Sequence, residues 1–214
     1  MVRGAGAPAI VAHFIPHTHT DPGWLNTYDS YYNRDVRPIL DTVLREMEAS
    51  PGRTFAWSET CFFARYWAAA SARKRNLIRS LAASSRLEFV GGGWVQHDEA
   101  LPTVAAQLDN MAEGHAWLRE TLGVSPRVGW QLDPFGHSAS SAALMGRMGL
   151  DAVVLNRIHY KLKSAWKGDR RLEFRWASAP MTVPPASTPP SNPPLPARSI
   201  SDATDCRQPL ALTT

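Results

Sequence analysis

The sequence is poor in several features that would place a protein in a specialised class. Its 214 residues contain only two cysteines, Cys61 and Cys206, which excludes a framework of disulfide bonds. No segment approaches the roughly 20 apolar residues of a membrane-spanning helix, so no membrane span is expected. The net charge is +4, but the basic residues are scattered, and no nucleic-acid partner is expected. The hydrophobic share of 44% is ordinary for a globular protein.

The N-terminus carries no recognisable signal peptide with a cleavage site, because the first chemical motif already begins at His17. As written, the sequence therefore has no export address. This predicts either a cytosolic protein or a true start that lies upstream of Met1.

Short apolar runs alternate with amphipathic stretches along the chain. The runs predict strands at residues 9–15, 55–57, 87–90, 128–132, 152–155 and 172–176, and residues 9–15 are expected to be buried. Helical spacing of apolar residues predicts helices at about 28–48, 103–122 and 138–148, with shorter ones around 62–67 and 77–81. Strands that alternate with helices form a parallel sheet with right-handed crossovers.

Polar side chains follow five successive predicted strands. We call the segment that directly follows a strand its exit. In barrel-like α/β folds the catalytic residues lie at the carboxyl ends of several strands, so these polar exits predict one composite site. In chain order the exits carry His19 and Asp21, then Glu59, then His97, Asp98 and Glu99, then Asp133 and His137, then Arg157 and His159.

The first exit has the sequence HTHTDPGW at residues 17–24. In an extended segment alternate side chains share a face, so His17, His19 and Asp21 point the same way. Two imidazoles and a carboxylate suit a borderline metal such as zinc, although a polar loop with ordinary surface histidines has the same composition. Trp24 lies in the same loop, where it can stack on a ligand or pack in the core.

The triple glycine at residues 91–93 lacks the flanking residues of a phosphate-binding loop. It is interpreted as a tight turn at a strand exit.

Five motifs together resemble the N-terminal catalytic domain of the family-38 glycoside hydrolases, the zinc-dependent α-mannosidases. They are HTHTDPGW (17–24), FAWSE (55–59), EFVGGGWVQHDEA (88–100), WQLDPFGHS (130–138) and NRIHY (156–160), in the family's order. The resemblance covers about residues 14–176 and implies a β/α barrel of seven strands. We therefore expect an α/β fold, a partial β/α barrel of about five to six parallel strands with flanking helices, as one domain at residues 1–176.

The resemblance also implies roles for individual residues. His19, Asp21 and Asp133 match zinc ligands, and Asp133 also matches the catalytic nucleophile. Trp24 matches the aromatic floor of the sugar site, and Arg157 matches an arginine near the nucleophile. Zinc is the implied cofactor, a mannose-containing glycan the implied substrate, and the Golgi or the lysosome or vacuole the implied compartment.

The implied chemistry is retaining glycoside hydrolysis, in which a carboxylate attacks one face of the anomeric carbon and a proton donor acts on the other. His17 suits a supporting position beside the ligands better than direct ligation. Two alternatives stay open: a zinc hydrolase related to the polysaccharide deacetylases, in which a water attacks, and a non-catalytic remnant that binds mannose.

Residues 177–214 depart from this resemblance. They carry nine of the 17 prolines, with serine and threonine between them, and no histidine. This composition predicts a disordered tail. The resemblance implies a fourth zinc ligand, a histidine far downstream of the WQLDPFGHS motif, and an acid/base aspartate that is also downstream. We therefore expect a truncated chain whose barrel does not close. Such a chain should bind metal weakly and have little activity. The abrupt change in composition near Trp176 suggests a frame change, a retained intron or a misjoined exon.

Overall fold

The computed structural model describes residues 12–176 and, for the backbone alone, the strand Leu210–Thr213. Helices and strands alternate over most of these residues, which confirms the predicted mixed α/β class. The strands are β1 (Phe55–Trp57), β2 (Leu87–Phe89), β3 (Val128–Gln131), β4 (Ala152–Leu155), β5 (Glu173–Arg175) and β6 (Leu210–Thr213). The helices are α1 (Tyr28–Tyr31), α2 (Arg37–Ala49), α3 (Thr60–Ala69), α4 (Ala72–Ala83), α5 (Val104–Leu122), α6 (Ala139–Arg147) and α7 (Tyr160–Gly168), with a π-helical turn at Tyr32–Val36 between α1 and α2.

The first four strands are parallel and follow one another in chain order. β1 pairs with β2, and β3 pairs with β4. A backbone hydrogen bond of 2.7 Å from Gly91 N–H to Val128 O links the end of β2 to β3. Their carboxyl ends therefore lie along one edge, where the polar exits were predicted to meet.

The first predicted strand is not formed over its described part. Residues 12–16 have no strand pairing, and His17 makes a single isolated bridge to Ala56. Phe14 and Ile15 are 88% and 60% exposed, so the prediction of a buried strand is wrong for these residues. The described chain gives this segment a neighbour on one side only, so a second partner strand that would bury it is not among the described residues. Residues 9–11 of the predicted strand lie outside the described part.

The last two strands differ from the predicted parallel series. β6 pairs parallel with β4, and β5 pairs antiparallel with β6, so the order is β3-β4-β6-β5. β6 belongs to residues 177–214, which were expected to be disordered, and its four residues differ from that expectation. Their run Leu-Ala-Leu is apolar and can pair with the open edge of β4. The remaining tail lies outside the described residues. The described strands form one two-stranded and one four-stranded sheet, and a closed barrel is not seen among them.

The main hydrophobic core lies between β1, β2 and the helices that cover them. Leu40, Leu44 and Met47 repeat at helical spacing and bury one face of α2. Phe62 and Phe63 of α3 are fully buried against the same core. Burial of each such side chain contributes about 1.5–3 kcal/mol, which makes this half of the molecule a rigid support for the exits of β1 and β2.

The turn after β2 adopts the conformation that its glycines were expected to provide. Gly91 and Gly92 have φ angles of 69° and 78°, in the left-handed region that glycine enters without strain. The glycines pack against α5, whose Thr103 cap accepts a hydrogen bond from Ala106 N–H. The predicted tight turn is confirmed.

The predicted cap of α6 is also confirmed, because the Ser138 hydroxyl accepts a hydrogen bond from Ser140 N–H at 3.2 Å.

None of the helices in the described part of the chain combines the length and apolar character that crossing a membrane requires.

Candidate active site

A polar cleft of ≈ 150 Å³ opens at the carboxyl ends of the strands. Three exits contribute to it: the loop after His17, the loop after β2 and the loop after β3. Its lining consists of His19, Asp21, Gln96, His97, Asp98, Asp133, Pro134 and Phe135. Three of the five predicted polar exits therefore contribute residues to the lining of one cleft.

His19, Asp21 and Asp133 come together in this cleft, with one ligand atom from each lying within 4.8 Å of the others. His19 Nε2 is 3.5 Å from Asp21 Oδ1 and 3.4 Å from Asp133 Oδ2. Asp21 and Asp133 are remote in sequence, and the fold brings their carboxylates to the same imidazole nitrogen. These are the three residues that the motifs matched to metal ligands.

The spacing of these atoms fits zinc. Zinc binds histidine nitrogen and carboxylate oxygen at about 2.0–2.2 Å in a tetrahedron, which separates ligand atoms by about 3.4 Å. The two distances from His19 Nε2 agree with that separation. Two carboxylates and one imidazole also supply the negative charge and the donor types that a divalent borderline cation prefers.

Arg157 holds Asp133 from the side opposite His19. Its Nε donates to Asp133 Oδ1 at 2.6 Å, and its Nη2 donates to the same oxygen. Asp133 Oδ2 is the oxygen that faces His19. The guanidinium also lies over the exposed Phe135 ring, 4.6 Å from its centroid. One oxygen of Asp133 is thus paired with a cation while the other faces the group of ligand atoms.

Glu59 lies buried beneath His19, directly after β1. Its carboxylate accepts hydrogen bonds from Thr20 N–H at 2.9 Å and from Thr18 Oγ1 at 3.0 Å. Burial raises the pKa of the Glu59 carboxyl, and the hydrogen bonds that it accepts act in the opposite direction. The sequence identified Glu59 as a polar exit but assigned it no role.

Glu99 occupies an equivalent buried position beneath the loop that carries Asp133. Its Oε1 is 2.9 Å from His137 Nδ1, and its Oε2 accepts a hydrogen bond from Ser138 N–H at 2.7 Å. His137 is therefore a partner of Glu99 and not a member of the metal-binding group.

His97 also lines the cleft. Burial lowers the pKa of its imidazole, although the nearby carboxylates of Glu99 and Asp98 act in the opposite direction. Its Nδ1 is 3.1 Å from Asn110 Nδ2, an amide nitrogen that donates, so Nδ1 accepts. His97 can present its other nitrogen to a ligand in the cleft as a hydrogen-bond donor.

Other predicted residues lie outside the cleft lining. Trp24 is 74% exposed and does not line the cleft. The His17 ring packs edge-on against Trp130, with centroids 5.2 Å apart, and is not one of the three grouped ligands. His159 stacks on Tyr160 instead of facing the cleft.

The motifs gave no role to Gln96 and Phe135, both of which line the cleft. For Phe135 a signal was present in the sequence, because a large apolar ring stands in a polar exit loop two residues after Asp133. In the structure this ring is 74% exposed. Gln96 donates from Nε2 to Trp130 O at 2.9 Å, a contact between distant segments that spacing alone does not predict.

Comparison with known proteins agrees with the motifs. The model of the family described as "Glycosyl hydrolases family 38 N-terminal domain" matches residues 9–182. Alpha-mannosidase 2x of Mus musculus is 41% identical over 162 residues, which are 76% of this chain and 14% of the relative. Alpha-mannosidase F of Dictyostelium discoideum is 39% identical over 180 residues, 83% of this chain and 18% of the relative. This chain thus spans less than a fifth of the length of these curated relatives.

A solved structure has a similar fold. An alpha-mannosidase from Enterococcus faecalis V583 superposes with a TM-score of 0.60 at 22% sequence identity, over 67% of this chain and 16% of that chain. Because the family model covers most of the sequence and the relatives are about 40% identical over three quarters of it, the chain belongs to the N-terminal domain family of the family-38 glycosyl hydrolases.

Proposed function

We propose that this chain provides three zinc ligands and the nucleophile of a retaining α-mannosidase that removes terminal α-mannosyl residues from glycans. The observation that carries the proposal is the convergence of His19, Asp21 and Asp133 on one point at zinc-like spacing. Family membership supports the glycosidase class, and the relatives named above are α-mannosidases. Residues 1–176 are proposed as the part of the catalytic domain present in this chain.

Asp133 is proposed to act as the nucleophile. Its carboxylate attacks the anomeric carbon, forms a glycosyl ester and releases the leaving-group oxygen, which takes up a proton from a general acid on the opposite face. Water then cleaves the ester and regenerates the carboxylate. Arg157 supports this role because its two hydrogen bonds to Oδ1 fix the orientation of the carboxylate.

His19, Asp21 and Asp133 would hold the zinc ion. When bound there, zinc supplies a fixed positive charge that favours the ionised form of the neighbouring carboxylate and binds sugar hydroxyls. His97 and Phe135 line the same cleft and are proposed to contact the sugar by hydrogen bonding and by apolar contact, respectively.

Trp24 is proposed as an aromatic surface for the sugar at the mouth of the site, on the basis of its motif position. Its exposed ring has the apolar face that stacks on the C–H side of a sugar. A role in N-glycan processing, in the Golgi or in the lysosome or vacuole, is part of the same proposal and rests on the similarity to the relatives.

Zinc binding provides the first test. The metal-free 214-residue chain is titrated with zinc in competition with a chromophoric chelator, alongside His19→Ala, Asp21→Asn and Asp133→Asn. Each of these variants is expected to lose most of its zinc affinity because it lacks one ligand. Asp169→Asn removes an exposed carboxylate that is not part of the cleft lining and is expected to bind zinc like the unmodified chain. Equal binding by all five proteins would refute the proposed site.

The nucleophile is tested by covalent labelling. A ring-fluorinated α-mannosyl fluoride has a leaving group that needs little protonation, and its ring fluorine slows hydrolysis of the ester. The zinc-loaded chain is expected to gain the mass of one fluorinated hexose on the peptide that contains Asp133, and Asp133→Asn is expected to gain none.

The same proteins distinguish the alternatives. Deacetylation of an N-acetylated sugar without labelling would indicate a deacetylase-type hydrolase. Saturable mannose binding without labelling or turnover would indicate a non-catalytic mannose-binding protein.

A further inference from the structure

Two carboxylates are buried beneath the cleft and do not belong to the group of proposed metal ligands. The side chains of Glu59 and Glu99 are 1% and 2% exposed. A buried carboxylate is unfavourable unless hydrogen bonds compensate for its lost hydration. The donors that compensate each glutamate come from the two loops that carry the ligands.

Glu59 binds the residues on both sides of His19. Thr18 donates through its hydroxyl at 3.0 Å, and Thr20 donates through its backbone N–H at 2.9 Å. Ser58 Oγ lies 2.8 Å from Glu59 Oε1 and 3.1 Å from Thr18 O, so it joins the carboxylate to the backbone of the same loop. His19 Nδ1 itself is 3.9 Å from Glu59 Oε1, too far for a hydrogen bond. Glu59 therefore fixes the backbone that carries His19 without binding the imidazole.

Glu99 binds the end of the loop that begins with Asp133. It accepts from Ser138 N–H at 2.7 Å and pairs with His137 Nδ1 at 2.9 Å. Its own backbone is held in turn, because Glu99 N–H donates to Asp98 Oδ1 at 2.9 Å and Gln107 Nε2 donates to Glu99 O at 3.3 Å. Glu99 thereby ties the Asp133 loop to the exit of β2.

Each glutamate connects two neighbouring strand exits. Glu59 follows β1 and reaches the loop at residues 18–20, and Glu99 follows β2 and reaches the loop at residues 133–138. The ligands of one ion come from these two loops, so an error in either loop changes the distances among the ligand atoms. A carboxylate that accepts two or more hydrogen bonds fixes a loop more firmly than a neutral acceptor.

We propose that Glu59 and Glu99 are positioning residues that set the mutual distances of His19, Asp21 and Asp133. This proposal rests on the proposed function in treating those three residues as a zinc site. Partners that orient metal ligands change metal affinity by about 10–100-fold when they are altered. A purely structural role would lower stability and leave the zinc affinity of the folded protein unchanged.

The test measures zinc affinity and thermal stability separately in the 214-residue chain. Glu59→Gln and Glu99→Gln keep the side-chain shape and remove the charge, and Glu120→Gln removes an exposed charge from α5 as the matched control. We expect both buried variants to bind zinc about 10–100-fold more weakly than the control, with the dissociation constant referred to the folded fraction measured by circular dichroism. Cobalt loaded in place of zinc should show altered visible absorption bands, which report the ligand geometry.

Variants of the hydrogen-bond partners keep the proposal testable if a glutamate variant fails to fold. Thr18→Val removes the hydroxyl that donates to Glu59, and Thr18→Ser keeps it. The valine variant should bind zinc more weakly and the serine variant should restore the affinity. For Glu99, His137→Phe removes one partner, whereas His137→Gln retains a donor group.

The outcomes separate the two proposals. If the unmodified chain and all variants bind zinc with equal affinity, Glu59 and Glu99 do not position the site although the zinc site stands. Equal affinity of Thr18→Val and Thr18→Ser would overturn the role of Glu59, and equal affinity of His137→Phe and His137→Gln would overturn that of Glu99. If the unmodified chain binds no zinc, both this proposal and the proposed function are overturned.

Discussion

At the scale of single residues, Asp133 depends on a guanidinium that donates to it twice. A lysine in place of Arg157 keeps the positive charge but has a single nitrogen. It cannot reproduce the two hydrogen bonds that Nε and Nη2 of Arg157 donate to Asp133 Oδ1. We expect Arg157→Lys to reduce the rate of labelling of Asp133 by about tenfold, because small errors in the orientation of a nucleophile are costly. The rate constant for labelling by the fluorinated mannosyl fluoride is the measurement.

Arg171→Lys is the control for that variant. Arg171 donates from Nη2 to the Asp169 carboxylate at 2.6 Å, a pair of the same chemical kind that is not part of the cleft lining. Equal labelling rates for both variants would mean that orientation by Arg157 is unimportant.

A second residue-scale prediction concerns His115 on α5. Its Nε2 donates to Gly91 O at 3.0 Å, and burial lowers the pKa of its imidazole. The folded protein therefore keeps His115 neutral at pH values where an unfolded chain, with a histidine pKa of about 6.5, binds a proton. The resulting stabilisation is fully present above about pH 6.5 and is lost as the pH falls through the lower pKa of the folded state.

Urea unfolding at a series of pH values between about 5 and 8 measures this contribution. His115→Gln keeps a donor for Gly91 O but cannot titrate, so its free energy of unfolding should decline less on acidification than that of the unmodified chain. His13→Gln, at an exposed position, is the control. Parallel pH profiles for His115→Gln and the unmodified chain would contradict the prediction.

Some features of the site could be predicted from the sequence and others could not. His19, Asp21, Asp133 and Arg157 were predicted from their motifs, and the structure brings them together. The hydrogen bonds by which Glu59 and Glu99 hold the two ligand loops were not predicted, because each joins segments remote in sequence. The motif match for Trp24 gave a role but no position, and its ring lies outside the cleft lining.

At the scale of elements, the contact between α5 and the turn after β2 requires the absence of a side chain. A Cβ added at Gly114 would overlap Gly92 O and lie 2.5 Å from Gly93 C. Alanine normally stabilises a helix relative to glycine, but here the overlap with backbone should dominate. We expect Gly114→Ala to lower the free energy of unfolding by about 1–3 kcal/mol.

The matched comparison is Gly168→Ala in α7, where nothing lies within 4 Å of an added Cβ. This substitution should raise the free energy of unfolding by up to about 1 kcal/mol. Urea denaturation of both variants gives the two values. A stabilising effect at Gly114 would show that α5 does not pack this closely against the turn.

The elements also show where a local apolar pattern is sufficient to predict a strand or a helix. β1 to β4 and helices α2 to α6 were predicted because each contains an apolar pattern of the right period, and each of these strands pairs with a neighbour in sequence. Helix α7 was not predicted. The segment at residues 12–15 has a similar pattern but lacks a strand on its other side, so its apolar side chains are exposed. The predicted parallel direction of β5 was wrong for a related reason, since its observed antiparallel pairing is with β6, which lies far along the chain.

At the scale of the whole molecule, the proposed zinc ligands connect the beginning of the described chain to its third strand. His19 and Asp21 precede the main core, and Asp133 follows β3, so the three meet only when the intervening α/β units are folded. Zinc should therefore bind the folded chain in preference to the unfolded chain. Mass action then makes the thermal stability depend on the zinc concentration.

The size of this effect can be calculated. At a zinc concentration 100 times the dissociation constant, preferential binding adds about 2.7 kcal/mol. In a protein of this size about 1 kcal/mol shifts Tm by roughly 2–4 °C, so a rise of about 5–11 °C is expected. Scanning calorimetry with and without zinc measures the rise, and a strong chelator should abolish it. Asp21→Asn should show little rise, whereas Asp169→Asn should respond like the unmodified chain. An equal rise in Asp21→Asn and in the unmodified chain would place the stabilising metal outside the cleft, since a site in the cleft includes Asp21 among its three proposed ligands.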